Sequence, residues 1–301
     1  MDRSLRLFRV AFVVCAWLLG PSAPTAAGLA PQLVLHKARQ SETDLEIGGD
    51  LSGLHPGSTR YVTYSDLLKL PQVDYTVSDD TNFAGTTRIG GVALTELTRD
   101  LGTAVAARFV VAICNDGYRT NYPDAYLAAH RPLLVLRING KTMADWPKSR
   151  YGRSLGPYLI SHPTFTPSFR VLSHTDEPQI PFGVVRIEFR GEQTVFGAIR
   201  PRGEFADGSP EIDGYRIAQQ NCYRCHNMGA QGGQMAGRSW QILAMWASTE
   251  PEFFRRYVKN PKTIDSKNRM PGNPDYDAAT IDALRRYFAS FAPPGSYGAR
   301  P

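Results

Sequence analysis

Residues 222–226 read Cys222-Tyr223-Arg224-Cys225-His226, and this short stretch decides how the C-terminal third of the chain is read. On a helix, positions i, i+3 and i+4 share one face, so both thiols and the imidazole point the same way. That geometry lets each cysteine add to one vinyl group of a haem while the histidine reaches the iron. A zinc site would need four ligands, and only Cys114 and scattered histidines remain to complete the set. A dithiol redox motif would not require His226, and it usually follows a strand instead of ending an amphipathic helix. The spacing therefore predicts one covalent haem c, with Cys222 and Cys225 as attachment points and His226 as the proximal ligand.

Around this motif the apolar residues fall at helical spacing. Ile212–His226, Trp240–Trp246, Pro251–Asn260 and Ala278–Phe291 are the predicted helices. Pro251 suits a first turn, and Asn260-Pro261 ends that helix. A second axial ligand must come from elsewhere, and the methionines are the candidates. Met228 is two residues past His226, on the wrong side of the ring, and Met245 between Trp240 and Trp246 reads as core filling. Met235 in a Gly-rich loop stays open. Met270 is the favoured ligand, because Pro271-Gly272-Asn273-Pro274 stiffens a segment with no helix of its own and suits a thioether held against iron.

Gly214-Tyr215 before the motif, Asn260-Pro261, Met270-Pro271 and a last helix with Leu284 and Tyr287 together resemble a class I cytochrome c. The resemblance covers residues 212–292. It implies that the first and last helices cross at Gly214 beside Tyr287, and that a thioether ligand raises the reduction potential. With both axial positions filled, electron transfer is expected at the haem in place of catalysis. Arg255, Arg256, Lys259, Lys262, Lys267 and Arg269 precede Met270. They read either as a solvated face or as a basic collar that steers an acidic redox partner.

Upstream the pattern changes to short apolar runs broken by Gly, Pro and Asn. Strands are predicted at Arg108–Ile113, Leu133–Ile138, Tyr158–Ile160 and Val184–Phe189, with short helices at Tyr64–Leu70, Leu94–Leu101 and Pro123–Ala129. Tyr64-Ser65-Asp66-Leu67-Leu68, Gly91-Val92-Ala93-Leu94, Asp116-Gly117-Tyr118, Asn139-Gly140 and Gly156-Pro157 resemble, in order and spacing, the sulfite oxidase-like molybdopterin-binding fold. In active members a cysteine thiolate ligates molybdenum between the first helix and the Gly-Val-x-Leu segment. Here that stretch, Tyr75 to Gly85, has no cysteine. The resemblance thus implies the fold without molybdenum. Cys114 comes too late in sequence to be that ligand and reads as a small buried hydrophobe. His162 and His174 could flank a former cofactor pocket, although isolated loop histidines are usually solvated. Arg131, Arg137 and Arg186 could hold an oxyanion if the fold brought them together.

The 301 residues are 42% hydrophobic and 21% charged, a globular composition, and the mean hydropathy of −0.30 excludes a multi-span membrane protein. Arg3, Arg6 and Arg9, the apolar run Val10 to Leu19 and Thr25-Ala26-Ala27 read as a Sec-type export signal. About ten apolar residues cannot span a bilayer that needs about twenty. Val14 before Cys15 argues against a lipoprotein, and no arginine pair marks the twin-arginine route used for prefolded cargo. Removing residues 1–27 leaves a formal charge of +4, without the dense basic stripe of a nucleic-acid binder. The expected organisation is residues 1–27 as signal, 28–200 as the strand-rich domain, 201–211 as linker, 212–292 as the cytochrome domain and 293–301 as tail. The fold class is α+β. The expected function is a periplasmic one-electron carrier with a front domain that docks a partner or binds a ligand. The alternative is a molybdenum-dependent dehydrogenase of a small substrate such as sulfite, with a built-in cytochrome. A haem-based sensor would require a displaceable axial ligand.

Overall fold

A computed structural model of the protein describes residues 33–101, 109–165 and 176–292. The export signal, His174 and the C-terminal tail lie outside these residues.

The strand-rich part comprises β1 (Leu45–Gly49), β2 (Arg60–Val62), α1 (Tyr64–Leu67), β3 (Val73–Val77), β4 (Thr87–Ala93), α2 (Leu94–Asp100), β5 (Phe109–Cys114), β6 (Arg119–Pro123), α3 (Asp124–His130), β7 (Leu133–Ile138), β8 (Tyr158–Ser161), β9 (Phe182–Arg190) and α4 (Glu192–Phe196). The strands join one mixed sheet in the order β2-β1-β9-β8-β7-β4-β3, with β5 on the other side of β9 and β6 paired to β5. Only β1 and β9 run parallel. All four strands expected from sequence form here, each with its ends shifted by no more than two residues. Runs of Val, Ile and Phe favour extended backbone where one or both faces are buried.

Side chains alternate across a strand, and β5 uses both faces. Val110 and Ala112 point into the core of the strand-rich part, together with Tyr122, Leu134 and Ile187. Phe109 and Val111 point the other way, into a cluster with Ile217, Trp240, Leu284 and Tyr287 of the helical part. Val195, Phe196 and Ile199 belong to the same cluster. Each such buried side chain contributes about 1.5–3 kcal/mol. The two parts belong to one compact unit. The change of composition at Pro201 is therefore no gap in packing: Arg202 donates its backbone N–H to Ser290 Oγ at 3.2 Å, and Tyr287 donates its hydroxyl to the Ile199 carbonyl at 2.6 Å.

The helical part holds α5 (Pro210–Gln220), the hairpin strands β10 (Asn227–Met228) and β11 (Gln231–Gly232), α6 (Trp240–Thr249), α7 (Pro251–Lys259) and α8 (Ala278–Ala289). Ser209 caps α5 by accepting the Ile212 N–H, Pro210 fills its first turn, and Asp277 caps α8 by accepting the Thr280 N–H at 2.9 Å. α5 crosses α8 at Gly214, as the resemblance implied. A Cβ there would lie 2.1 Å from the Ala283 carbonyl oxygen and 2.7 Å from Tyr287 Cβ, so only glycine lets the backbones meet. The predicted helix to His226 is a correction. α5 ends at Gln220, and Cys222 to His226 form a separate turn closed by the His226 N–H on the Cys222 carbonyl at 3.0 Å.

Candidate haem-binding site

That turn brings Cys222, Cys225 and His226 together. Both cysteines are half-buried free thiols, and burial pushes Cys222 up to about 12 and Cys225 up to about 11. They are neutral thiols at ordinary pH, not preformed thiolate metal ligands. His226 is buried, and burial lowers its pKa, so the imidazole is neutral. Its Nδ1 lies 2.7 Å from the Arg238 carbonyl oxygen and must donate to it. That bond places the proton on Nδ1 and leaves Nε2 bare, without a partner among the described residues. A fixed tautomer with a free Nε2 lone pair is what an axial ligand requires. The three residues fit a covalent haem c.

The two residues between the cysteines are engaged elsewhere. Tyr223 is fully buried, packs edge-on to Trp240 at 5.5 Å, and donates its hydroxyl to the Val195 carbonyl at 3.0 Å. Arg224 accepts the Arg119 N–H on its carbonyl at 2.9 Å and reaches Tyr118 Oη at 3.4 Å. The hairpin after His226 is tied in as well, since the Gln234 N–H bonds the Gly117 carbonyl at 2.8 Å. A Cβ at Gly233 would sit 1.9 Å from the Arg224 carbonyl oxygen, so the hairpin lies directly on the turn. The Asp116-Gly117-Tyr118 bend of the strand-rich part thus buttresses the turn from Cys222 to His226. Sequence reasoning missed Arg238, Val195 and Arg119 in these roles. Val195 and Arg238 act through backbone carbonyls and Arg119 through its N–H, which any residue type supplies.

Met270 is half-buried midway along the segment between α7 and α8. That segment is strapped to α7: Asn268 donates Nδ2 to Tyr257 Oη at 2.6 Å and accepts the Met270 N–H at 2.9 Å. Asn273 donates its N–H to the Lys259 carbonyl at 2.9 Å and its Nδ2 to the Val258 carbonyl at 3.0 Å. Met235 is 42% exposed, with its thioether sulfur 3.8 Å from Cys225 Sγ, at the edge of the attachment turn. The basic cluster is solvent-facing except for half-buried Lys259, and Arg255 is paired with Glu252 at 2.6 Å.

In the strand-rich part, the stretch from Tyr75 to Gly85 offers no thiol, and Ser78, Asp79 and Asp80 are in structural use. Asp80 accepts from Ser161 Oγ at 2.6 Å and from the Asn82 N–H at 2.8 Å, Asp79 accepts the Phe165 N–H, and Ser78 lies 3.2 Å from Thr164 Oγ1. Cys114 is buried in β5, and burial raises its thiol pKa. These residues do not fit a thiolate-ligated molybdenum. His162 corrects an expectation: it is buried, not solvated, with Nδ1 on the Pro163 carbonyl at 2.9 Å and Nε2 3.3 Å from Tyr126 Oη. The three arginines do not converge. Arg131 lies over the Tyr75 ring, Arg137 pairs with Asp74 at 4.0 Å, and Arg186 pairs with Glu46 and Glu188.

Comparison with known proteins agrees with this geometry at the C-terminus. Residues 211–288 match the family described as cytochrome c oxidase, cbb3-type, subunit III. No curated protein matches the chain. Among solved structures, it is similar to the sulfane dehydrogenase SoxCD from Paracoccus pantotrophus, at 14% identity and a TM-score of 0.36, over 53% of this chain and 42% of that one. The chain thus spans less than half of that structure's length, and so remote a likeness transfers neither substrate nor metal. The helical segment around Cys222, Cys225 and His226 is a c-type cytochrome domain.

Proposed function

We propose that the protein is an exported, periplasmic c-type cytochrome that carries one covalent haem and passes single electrons between redox partners. The observation that carries this reading is the turn itself: two free thiols and an imidazole whose Nδ1 proton is committed to Arg238, leaving Nε2 for iron. Haem c supplies one-electron iron chemistry when bound. Cys222 and Cys225 would hold the haem covalently, and His226 and Met270 are the residues that would bind its iron. Tyr223 and Arg224 lock the turn to the strand-rich part, which limits the rearrangement that accompanies each change of charge. That part serves as a docking or ligand-binding module, without molybdenum, and the exposed basic residues before Met270 face an acidic partner protein.

Metal analysis of the protein purified from its own periplasm tests this reading, with molybdate supplied during growth. One iron and no molybdenum per chain is expected. Stoichiometric molybdenum would overturn the reading in favour of a dehydrogenase with a built-in electron acceptor.

A further inference from the structure

The strongest unassigned feature lies where the strand-rich part meets the hairpin after His226. Arg119 on β6 stands opposite Ile113 in register, on the sheet face turned toward the helical part. It is 7% exposed, its Nε is sealed from solvent without a partner, and no described residue accepts a hydrogen bond from its guanidinium. Burial lowers the pKa of this group from its ordinary value, the mark of a desolvated charge. A guanidinium nevertheless stays protonated in proteins, so it needs a counter-charge.

The chain does not supply one in full. Glu188 lines the same cavity, but Arg186 at 2.6 Å and Arg190 at 3.0 Å already share its carboxylate. The cavity measures about 300 Å³ and is also lined by Thr194, Gln231 and Gln234. Among the lining residues two guanidinium groups stand against one carboxylate, and Arg190 is also shared with Asp50 at 4.0 Å, so Arg119 is the lining charge with no ion pair of its own among the described residues. Side-chain hydroxyl and amide groups add neutral donors.

We infer that this cavity binds a small oxyanion of the size of sulfate or phosphate, with Arg119 as its principal charge. A guanidinium fork matches two oxygens of one anion, and the cavity is at the small end for ligand sites, too small for a nucleotide. The occupant would touch both the sheet and the hairpin that begins immediately after His226. On the haem reading proposed above, its negative charge also favours the oxidised iron and lowers the midpoint potential. Binding itself does not depend on that reading.

The test is equilibrium dialysis of the full-length holoprotein with radiolabelled sulfate, then with phosphate as competitor, against chloride at matched ionic strength. One saturable anion per chain is expected, displaced by phosphate and not by chloride. Arg119→Gln should weaken binding at least tenfold while the haem spectrum is kept, and Arg119→Lys, which keeps the charge but loses the fork, should fall between. The absence of saturable binding to wild-type protein would overturn the inference, as it would if a haem propionate filled the cavity. Binding unchanged in Arg119→Gln would overturn it too. The wild-type result stands even if Arg119→Gln does not fold. A potential unmoved by bound sulfate would overturn only the coupling of the anion to the iron, whereas purified protein without a haem spectrum would count against the haem reading alone.

Discussion

His226 shows how much of a site can rest on one backbone atom. Its Nδ1 proton is held by the Arg238 carbonyl, so the side chain presents one tautomer and one orientation. Replacing Cys222 and Cys225 together by alanine should abolish covalent haem, read as loss of haem staining after denaturing electrophoresis. The distal ligand gives a sharper test. Ferrous Met270→Ala should bind carbon monoxide at neutral pH, whereas wild type and Met235→Ala should not. Carbon monoxide binding only in Met235→Ala would move the assignment to that residue. Away from the haem, Asp66 predicts an acid limb in stability. Hydrogen bonds from Lys69, Thr63 and His36 hold its carboxyl well below the usual range. A depressed folded pKa contributes stability above the unfolded value of about 3.9, lost as pH falls toward the folded value. Melting temperature should therefore drop below about pH 4, and Asp66→Asn should lower it at pH 7 while flattening that limb.

At the scale of elements, the α5–α8 crossing is the joint on which the haem turn is mounted. The turn begins one residue after α5, so any shift of that helix moves both cysteines. Gly214→Ala would place a methyl 2.1 Å from the Ala283 carbonyl, and backbone cannot rotate away as a side chain can. We expect a loss of about 3 kcal/mol, the upper end for overpacking, measured by denaturant unfolding of the holoprotein. Most of these elements were legible in sequence, because helical and strand periodicities are local. The end of α5 was not. Cys222 and His226 continue the i, i+4 spacing, but the chain leaves the helix at Gln220 to meet Val195 and Arg119, which are distant in sequence.

Across the whole molecule, the shared cluster of Phe109, Val111, Val195 and Phe196 with Trp240 and Tyr287 joins two parts whose compositions differ sharply. Calorimetry of the full chain should show one cooperative transition, and two separated transitions would contradict a common core. The exposed basic residues Arg255, Arg256, Lys262, Lys267 and Arg269 act at longer range. If they steer an acidic partner, the rate of electron transfer should fall as ionic strength rises, with a shallower slope after charge reversal at Arg256 and Lys262. A rate independent of salt would leave them as a solvated face.

The expectation of a covalent haem, with two attachment points and a proximal ligand, came from five consecutive residues, because the chemistry needs those side chains at that spacing. That the stretch from Tyr75 to Gly85 contains no cysteine was equally plain, since it depends on residue type alone. Only tertiary structure decided the rest: which carbonyl orients His226, that His162 is buried, that Arg131, Arg137 and Arg186 stay apart, and that Arg119 is enclosed without a partner. Those outcomes depend on backbone atoms common to all residues, or on which faces of distant strands and turns meet, and neither leaves a local pattern in the sequence.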